Sequence, residues 1–327
     1  MTVRRSPAQP PTSRPARGGP RALRRLGAIA LALAAVVLGC AACHARPGTE
    51  AGSVGAGSTT HTVSVDGRDR TYILYRPAAL PAAHVPLVVM LHGGFGSAAQ
   101  AQSAYGWNAE ADAYHFAVVY PDGVRAAWNA GGGCCGVPAG TGIDDVGFIA
   151  QVVHEVSAAL PIDPNRTYAT GISNGGLMAY RLACDTSLFA AIGPDSATLL
   201  GDCPSPHPIS LLHLHGTADT RIPYRGGQGE GYAKIDGPAV PDVVARWRAI
   251  DNCRPPATTT AGPVTTALAT CPAGRSVELI TIAGAGHQWP GGVDKPLLER
   301  VAHLDAPSTA LNATDAFWHF FASHPRT

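Results

Sequence analysis

Tyr168-Ala169-Thr170-Gly171-Ile172-Ser173-Asn174-Gly175-Gly176-Leu177-Met178 reads as a strand, a sharp turn and the start of a helix, with Ser173 at the apex. Gly171 and Gly175 flank the serine in the spacing G-x-S-x-G, the pattern of a nucleophile elbow. Such a turn holds the serine in strained backbone geometry and brings strand and helix too close for side chains at the flanking positions. Only small residues fit there, and a hydroxyl nucleophile at Ser173 is the expected result.

Two further segments supply partners for a serine. Ile209-Ser210-Leu211-Leu212-His213-Leu214-His215-Gly216-Thr217-Ala218-Asp219 is an apolar strand ending in a turn that carries an acid. Val277 to Ile282 is a second apolar strand, running into Ala283-Gly284-Ala285-Gly286-His287-Gln288-Trp289-Pro290, a loop that carries a histidine. The chain order Ser173, Asp219, His287 is that of α/β-hydrolases and differs from the trypsin-like and subtilisin-like orders. The expected fold is therefore one α/β-hydrolase domain, a mostly parallel central sheet with helices on both faces. Asp195, after the apolar run Phe189 to Ile192, is the one serious rival to Asp219 as the acid.

Upstream, Thr62 to Val65 and Thr71 to Tyr75 flank Asp66-Gly67, a hairpin signal. Leu87 to Leu91 is a continuous apolar run, suited to a strand covered on both faces. It ends in His92-Gly93-Gly94-Phe95-Gly96, followed by a helical stretch from about Ala98 to Tyr114, a strand from Phe116 to Tyr120, and a helix from Asp145 to Leu160 stopped by Pro161. In this fold one oxyanion donor is the N–H after the nucleophile, here Asn174, and the other comes from the loop after the third strand. Gly94 is the expected second donor, with Phe95 as the alternative.

A hydrophobic fraction of 46% over 327 residues suffices for a large core, while 14% charge and a net balance of +1 provide no basic surface for nucleic acid. The expected partner is small or neutral. Arg21, Arg24 and Arg25 precede an apolar stretch from Leu26 to Leu38, too short to span a bilayer stably and suited to an export signal. Val37-Leu38-Gly39-Cys40 resembles a bacterial lipobox, whose cysteine becomes the lipidated first residue of the mature chain; the alternative is a secretory signal cleaved near Ala42 or Ala45. The expected organisation is a signal over residues 1–43 with lipidation at Cys40, a flexible Gly, Ser, Thr and Ala-rich tether over 44–60, and one folded domain over 61–325. Its membrane contact would run only through the lipid; otherwise it is secreted.

Beyond Cys40 and Cys43 six cysteines remain: Cys134, Cys135, Cys184, Cys203, Cys253 and Cys271. An even set behind an export signal reads as disulfides, with fifteen connectivities open. Cys253 with Cys271 and Cys184 with Cys203 are the nearest pairs, leaving Cys134 and Cys135 as a vicinal pair or in exchange with another partner.

Taken in order, Leu91-His92-Gly93-Gly94, Trp128 with Cys134-Cys135-Gly136, Asp144-Asp145-Val146-Gly147-Phe148, the Ser173 elbow, His215-Gly216-Thr217-Ala218-Asp219 and Gly286-His287-Gln288-Trp289-Pro290-Gly291 resemble secreted esterases of the polyhydroxybutyrate depolymerase and feruloyl or acetyl-xylan esterase group, carbohydrate esterase family 1. The resemblance spans residues 61–325 and implies ester hydrolysis without a cofactor or metal, with Ser173, Asp219 and His287 at the matching positions. The depolymerases often carry a cysteine where this chain has Gly94, and some carry a separate polymer-binding domain. Both departures favour short acyl esters, or feruloyl or acetyl esters of carbohydrate, over hydroxybutyrate oligomers as substrates. A catalytically silent binding lipoprotein on the same scaffold is the alternative from another class.

Phe95, Trp128 and Trp289 are the candidate substrate-binding residues, the two tryptophans as exposed loop residues suited to stacking on a sugar or aromatic acyl group, with packing under their loops as the alternative. His213 and His215 alternate along one strand, share a face and read as packing or loop-orienting groups. His92 should hydrogen-bond the glycine loop. Asp144 and Asp145 read as a helix N-cap and a first-turn charge favoured by the helix dipole.

Overall fold

The computed structural model describes residues 55–294 and 304–327, so the signal segment with Cys40 and Cys43 lies outside the described residues. The first hairpin joins β1 (Gly57–Val65) to β2 (Arg68–Arg76), paired antiparallel from Gly57 opposite Arg76 to Val65 opposite Arg68. Asp66 (φ 51°) and Gly67 (φ 71°) both turn left-handed, the geometry a two-residue hairpin requires. β1 begins inside the expected tether: the β-branched Thr59 and Thr60 pair with Leu74 and Ile73.

Along the chain follow β3 (Val85–Leu91), α1 (Ala98–Ala104), α2 (Trp107–Tyr114), β4 (Ala117–Pro121), α3 (Gly136–Thr141), α4 (Asp145–Ala159), β5 (Ile162–Ile172), α5 (Asn174–Asp185), β6 (Ala191–Asp195) and β7 (Ser210–Gly216). A small ribbon of β8 (Gly227–Gln228) and β9 (Asp236–Gly237) precedes α6 (Val240–Ile250), β10 (Ala257–Ala261), β11 (Val264–Thr270), β12 (Ser276–Ile282) and α7 (Ala313–Ser323). The large sheet has the order β1-β2-β4-β3-β5-β6-β7-β12-β11-β10. From β4 to β12 its neighbours are parallel, and an antiparallel hairpin closes each edge. The Thr-rich β10–β11 hairpin, exposed throughout β10, has no apolar alternation to announce it in the sequence.

β3, β4, β6 and β7 are buried along their whole length because helices cover both faces. One core layer joins Phe148 of α4, Leu177 and Tyr180 of α5 and Trp247 of α6; the other joins Ala101 of α1, Trp107 of α2 and Phe317 and Phe321 of α7. The helical stretch from Ala98 to Tyr114 breaks in two at Tyr105-Gly106, where Gly106 (φ 78°) caps α2. Asp144 caps α4 by accepting the Gly147 N–H at 2.7 Å. Asp145 is the expected first-turn acid of α4 and is also buried: it accepts from Arg70 Nη2 and the Asn129 N–H, both at 2.7 Å, and sits beside a guanidinium that lies 3.8 Å over the Phe148 ring. It thus joins β2 to α4 across the core while standing in the first turn of α4. The carboxyl ends of β3, β5, β6, β7 and β12 carry the loops of Gly94, Ser173, Asp195, Asp219 and His287, the place where parallel sheets hold their sites.

Candidate active site

β5 ends at Ile172, and Ser173 (φ 57°, ψ −124°) is the N-cap of α5, a backbone conformation few non-glycine residues adopt. A Cβ at Gly171 would lie 2.6 Å from the Gly175 carbonyl carbon, and one at Gly175 would collide with the Leu91 carbonyl oxygen. The elbow is thus wedged against the end of β3, which is why both positions must be glycine. The Ser173 N–H donates to the Asp195 carbonyl at 3.0 Å.

Asp219 ends a tight turn after β7, its N–H donating to Gly216 O at 3.2 Å. The adjacent Ala218 N–H donates to Ala285 O at 2.9 Å, which ties this turn to the loop of His287. Across that tie the His287 imidazole meets Asp219 Oδ2 through Nδ1 at 2.7 Å, while Oδ1 accepts the N–H groups of Arg221 at 2.8 Å and Ile222 at 2.9 Å. Burial pushes the Asp219 carboxyl up, but the hydrogen bond and charge of His287, with His215 and the Ile222 N–H, outweigh it and leave it below the usual carboxylate range. Asp305 fixes the other side of the loop by accepting the His287 backbone N–H at 2.7 Å. Nδ1 being engaged, Nε2 is the ring nitrogen left for proton transfer. The Ser173 hydroxyl makes no hydrogen bond among the described residues, a looseness common before substrate binds.

Among the described residues Asp195 makes no hydrogen bond or ion pair with His287. Its carboxyl is fully buried, Oδ2 has no hydrogen-bond partner among the described residues, and burial together with the Asp219 charge pushes it well above the usual carboxylate range. Of the two acids, Asp219 is the one bonded to the histidine.

A Cβ built on Gly94 would stand 3.9 Å from Asn174 Cβ, so the two expected oxyanion donors are neighbours. The Phe95 N–H is engaged by the Ala126 carbonyl at 2.8 Å, whereas the Gly94 N–H has no partner among the described residues. His92 braces this loop: its Nε2 accepts the Gly123 N–H at 2.9 Å, so Nδ1 carries the hydrogen and donates to Gly93 O at 2.8 Å. Burial lowers the His92 pKa, which keeps that ring neutral.

The two tryptophans correct the sequence expectation. Trp128 is fully buried, donates Nε1–H to His92 O at 2.9 Å, and is clamped through its own backbone by the Asn174 side chain at 2.7 and 3.1 Å. Trp289 is 3% exposed, donates Nε1–H to Thr314 at 3.0 Å and packs on Tyr105 and Phe317. Each indole N–H has a buried acceptor, so both rings build the loops from beneath and offer no face to a ligand. Phe95 is 78% exposed and meets Tyr232, 89% exposed, edge-on at 5.6 Å. Tyr232, from the loop between β8 and β9, is an aromatic residue of the site's rim that no local sequence signal marks. Two surface cavities, of about 210 and 560 Å³, are lined by none of these residues.

His213 and His215 are buried on one face of β7, and His215 Nε2 lies 3.4 Å from Asp219 Oδ2. Disulfides join Cys184 to Cys203, Cys253 to Cys271, and the adjacent Cys134 and Cys135 to each other. Among the described residues no cluster of histidine, cysteine and carboxylate side chains could hold a metal ion. A hydroxyl at an elbow, a carboxylate-bound imidazole and the Gly94 N–H, unpartnered among the described residues and beside Asn174, are together suited to acyl transfer.

The family model described as "Esterase PHB depolymerase" matches residues 70–219, which include Ser173 and Asp219. The chain is 34% identical over 274 residues to "Putative esterase NocK" of Nocardia uniformis subsp. tsuyamanensis, covering 72% of this chain and 75% of that protein. It is 30% identical over 220 residues to "Feruloyl esterase B" of Piromyces equi, covering 62% of this chain but only 39% of the relative. The fold matches that of an acetyl xylan esterase from Aspergillus awamori with a TM-score of 0.57 at 15% identity, over 81% of this chain and 99% of the other. With its α/β-hydrolase sheet, its serine elbow and this extent of similarity, the chain belongs to the esterase PHB depolymerase family.

Proposed function

We propose that this protein is a serine carboxylic-ester hydrolase working through an acyl-enzyme. The observation that carries the reading is the 2.7 Å bond between Asp219 Oδ2 and His287 Nδ1, made by the loops after β7 and β12 at the same carboxyl edge of the sheet as the Ser173 elbow after β5. Ser173 Oγ attacks the acyl carbon while His287 Nε2 takes its proton, and Asp219 holds the imidazole in register and stabilises the imidazolium. The N–H groups of Asn174 and Gly94 receive the oxyanion. His287 then protonates the departing alcohol, and water, activated by the same nitrogen, releases the acid and restores Ser173.

The proposed substrates are short acyl esters and feruloyl or acetyl esters of carbohydrate, held in part by the exposed Phe95–Tyr232 pair; relatives named as feruloyl esterases support this. The family description favours a second reading, hydrolysis of hydroxybutyrate oligomers. Measuring kcat/KM at pH 7.5 for p-nitrophenyl acetate, methyl ferulate, acetylated xylan and hydroxybutyrate oligomers separates them. Preference for the oligomers would overturn the carbohydrate-ester reading.

The disulfides fit export to an oxidising compartment, and Val37-Leu38-Gly39-Cys40 adds a proposed lipid anchor. Two acyl chains at Cys40 would hold the protein stably on a membrane, where one would hold it only marginally. Cys40→Ala should release the protein from the membrane fraction. A wild-type protein that is wholly soluble, with its N-terminus beyond Cys43, would contradict anchoring.

A further inference from the structure

His213 and His215 stand two residues apart on β7, fully buried, with rings 5.3 Å apart and nearly parallel. The Tyr180 hydroxyl of α5 lies 2.7 Å from His213 Nδ1, and His213 Nε2 lies 3.1 Å from His215 Nδ1. His215 Nε2 in turn lies 2.9 Å from the Ile222 carbonyl oxygen and 3.4 Å from Asp219 Oδ2. Four buried groups from α5, β7 and the following turn thus form one polar chain that ends on the acid.

The proton positions follow from that end. The Ile222 carbonyl and the Asp219 carboxylate only accept, so His215 Nε2 carries a hydrogen. Burial, against the opposing pull of Asp219, brings the His215 pKa down to about 4, so at neutral pH the ring is uncharged and its Nδ1 is bare. That Nδ1 accepts from His213 Nε2–H. Burial, reinforced by His215, keeps His213 uncharged as well, so its own Nδ1 accepts the Tyr180 O–H. Reversing the chain would set a bare nitrogen against two acceptors at the Asp219 end, so one orientation satisfies every group.

In that orientation the positive end of every dipole faces Asp219, and aligned polar groups strengthen one another in a water-free interior. His215 acts on the carboxylate at both oxygens. Its Nε2–H is bonded to the Ile222 carbonyl, and with the nitrogen 3.4 Å from Oδ2 it acts electrostatically on the oxygen that meets His287, while its grip on that carbonyl fixes the turn whose Arg221 and Ile222 N–H groups hold Oδ1.

We infer that the Tyr180–His213–His215 chain is a proton-ordered clamp that orients Asp219 toward His287, with His215 as the positioning residue. This rests on the proposed role of Asp219 as the acid of a serine esterase. The titratable or charged groups around Asp219 are His215 from β7, Asp195 from β6, His287 from the loop after β12, and Arg221 within its own turn. Without the His215 N–H the carboxylate becomes more basic and favours protonated His287 more strongly. The acid limb of kcat/KM therefore moves to higher pH.

The test compares variants on p-nitrophenyl acetate after their folding is checked by circular dichroism. His215→Leu is expected to lower kcat by about 10²-fold with KM little changed, the scale of loss that misplacing a catalytic group produces, and to raise the acid limb. His215→Gln, whose amide can still donate toward Ile222 and Asp219, should recover most of the rate. Tyr180→Phe, nearly isosteric, serves where His215→Leu does not fold and should raise the acid limb by a smaller amount. Equal losses in His215→Leu and His215→Gln would overturn the clamp, as would a wild-type rate and pH profile in folded His215→Leu or, failing that variant, in Tyr180→Phe. Ser173→Ala runs alongside: wild-type hydrolysis there sinks the serine-esterase reading itself, whereas an inactive Ser173→Ala beside a wild-type His215→Leu sinks only the clamp.

Discussion

The Asp195 carbonyl accepts the Ser173 N–H at 3.0 Å, so the residue whose backbone pins the elbow also brings a buried carboxyl beside the acid that binds the histidine. Burial and the Asp219 charge push its carboxyl well above the usual carboxylate range in the folded chain, whereas in the unfolded chain it ionises above about pH 3.9. The folded chain thus binds more protons there, and stability falls as pH rises from about 4 through the folded value. Asp195→Asn, neutral and of the same shape, removes that loss. Thermal melts should show the variant more stable than wild type at pH 7 with the gain vanishing toward pH 4, while kcat stays within about threefold, a change of under 1 kcal/mol in the barrier. A variant that loses activity while Asp219→Asn keeps it would reassign the acid.

The rim gives a prediction about specificity. Tyr232→Ala removes an exposed ring that meets Phe95 edge-on, a contact of about 1 kcal/mol. KM for methyl ferulate should rise about fivefold, with kcat/KM for p-nitrophenyl acetate nearly unchanged. Equal effects on both esters would remove Tyr232 from substrate binding.

The Cys253–Cys271 disulfide, closing a loop with a sequence separation of 18, joins the end of α6 to the end of β11. Replacing both cysteines by serine should cost about 3 kcal/mol in a denaturant titration, chiefly by releasing the unfolded chain. None of the proposed catalytic groups lies in that loop, so activity should survive below the new midpoint. Free thiols at both positions in the exported protein would contradict the pairing.

What was legible in the sequence was whatever local backbone demands dictate. Gly171 and Gly175 mark the elbow because a side chain at either would meet the carbonyl groups of Gly175 or Leu91, and Asp66-Gly67 marks its hairpin because both residues turn left-handed. Continuous apolar runs likewise revealed β3 and β7, which only a doubly covered sheet requires. Side-chain fate was less legible because it depends on partners far along the chain. Trp128 and Trp289 sit in glycine-rich loops yet find buried acceptors in His92 and Thr314, and Asp145 is drawn inward by Arg70 from β2. Tyr232 reaches Phe95 only through the course of the β8–β9 loop, which no periodicity encodes.

The most direct measurement is labelling with a fluorophosphonate, followed by peptide mapping and assay of Ser173→Ala and His287→Ala. The expected result is a single adduct on the peptide carrying Ser173, abolished in Ser173→Ala, with kcat on p-nitrophenyl acetate lowered by about 10⁴-fold or more in both folded variants. An adduct on another residue, or a folded Ser173→Ala that hydrolyses the ester at the wild-type rate, would contradict the serine-esterase assignment.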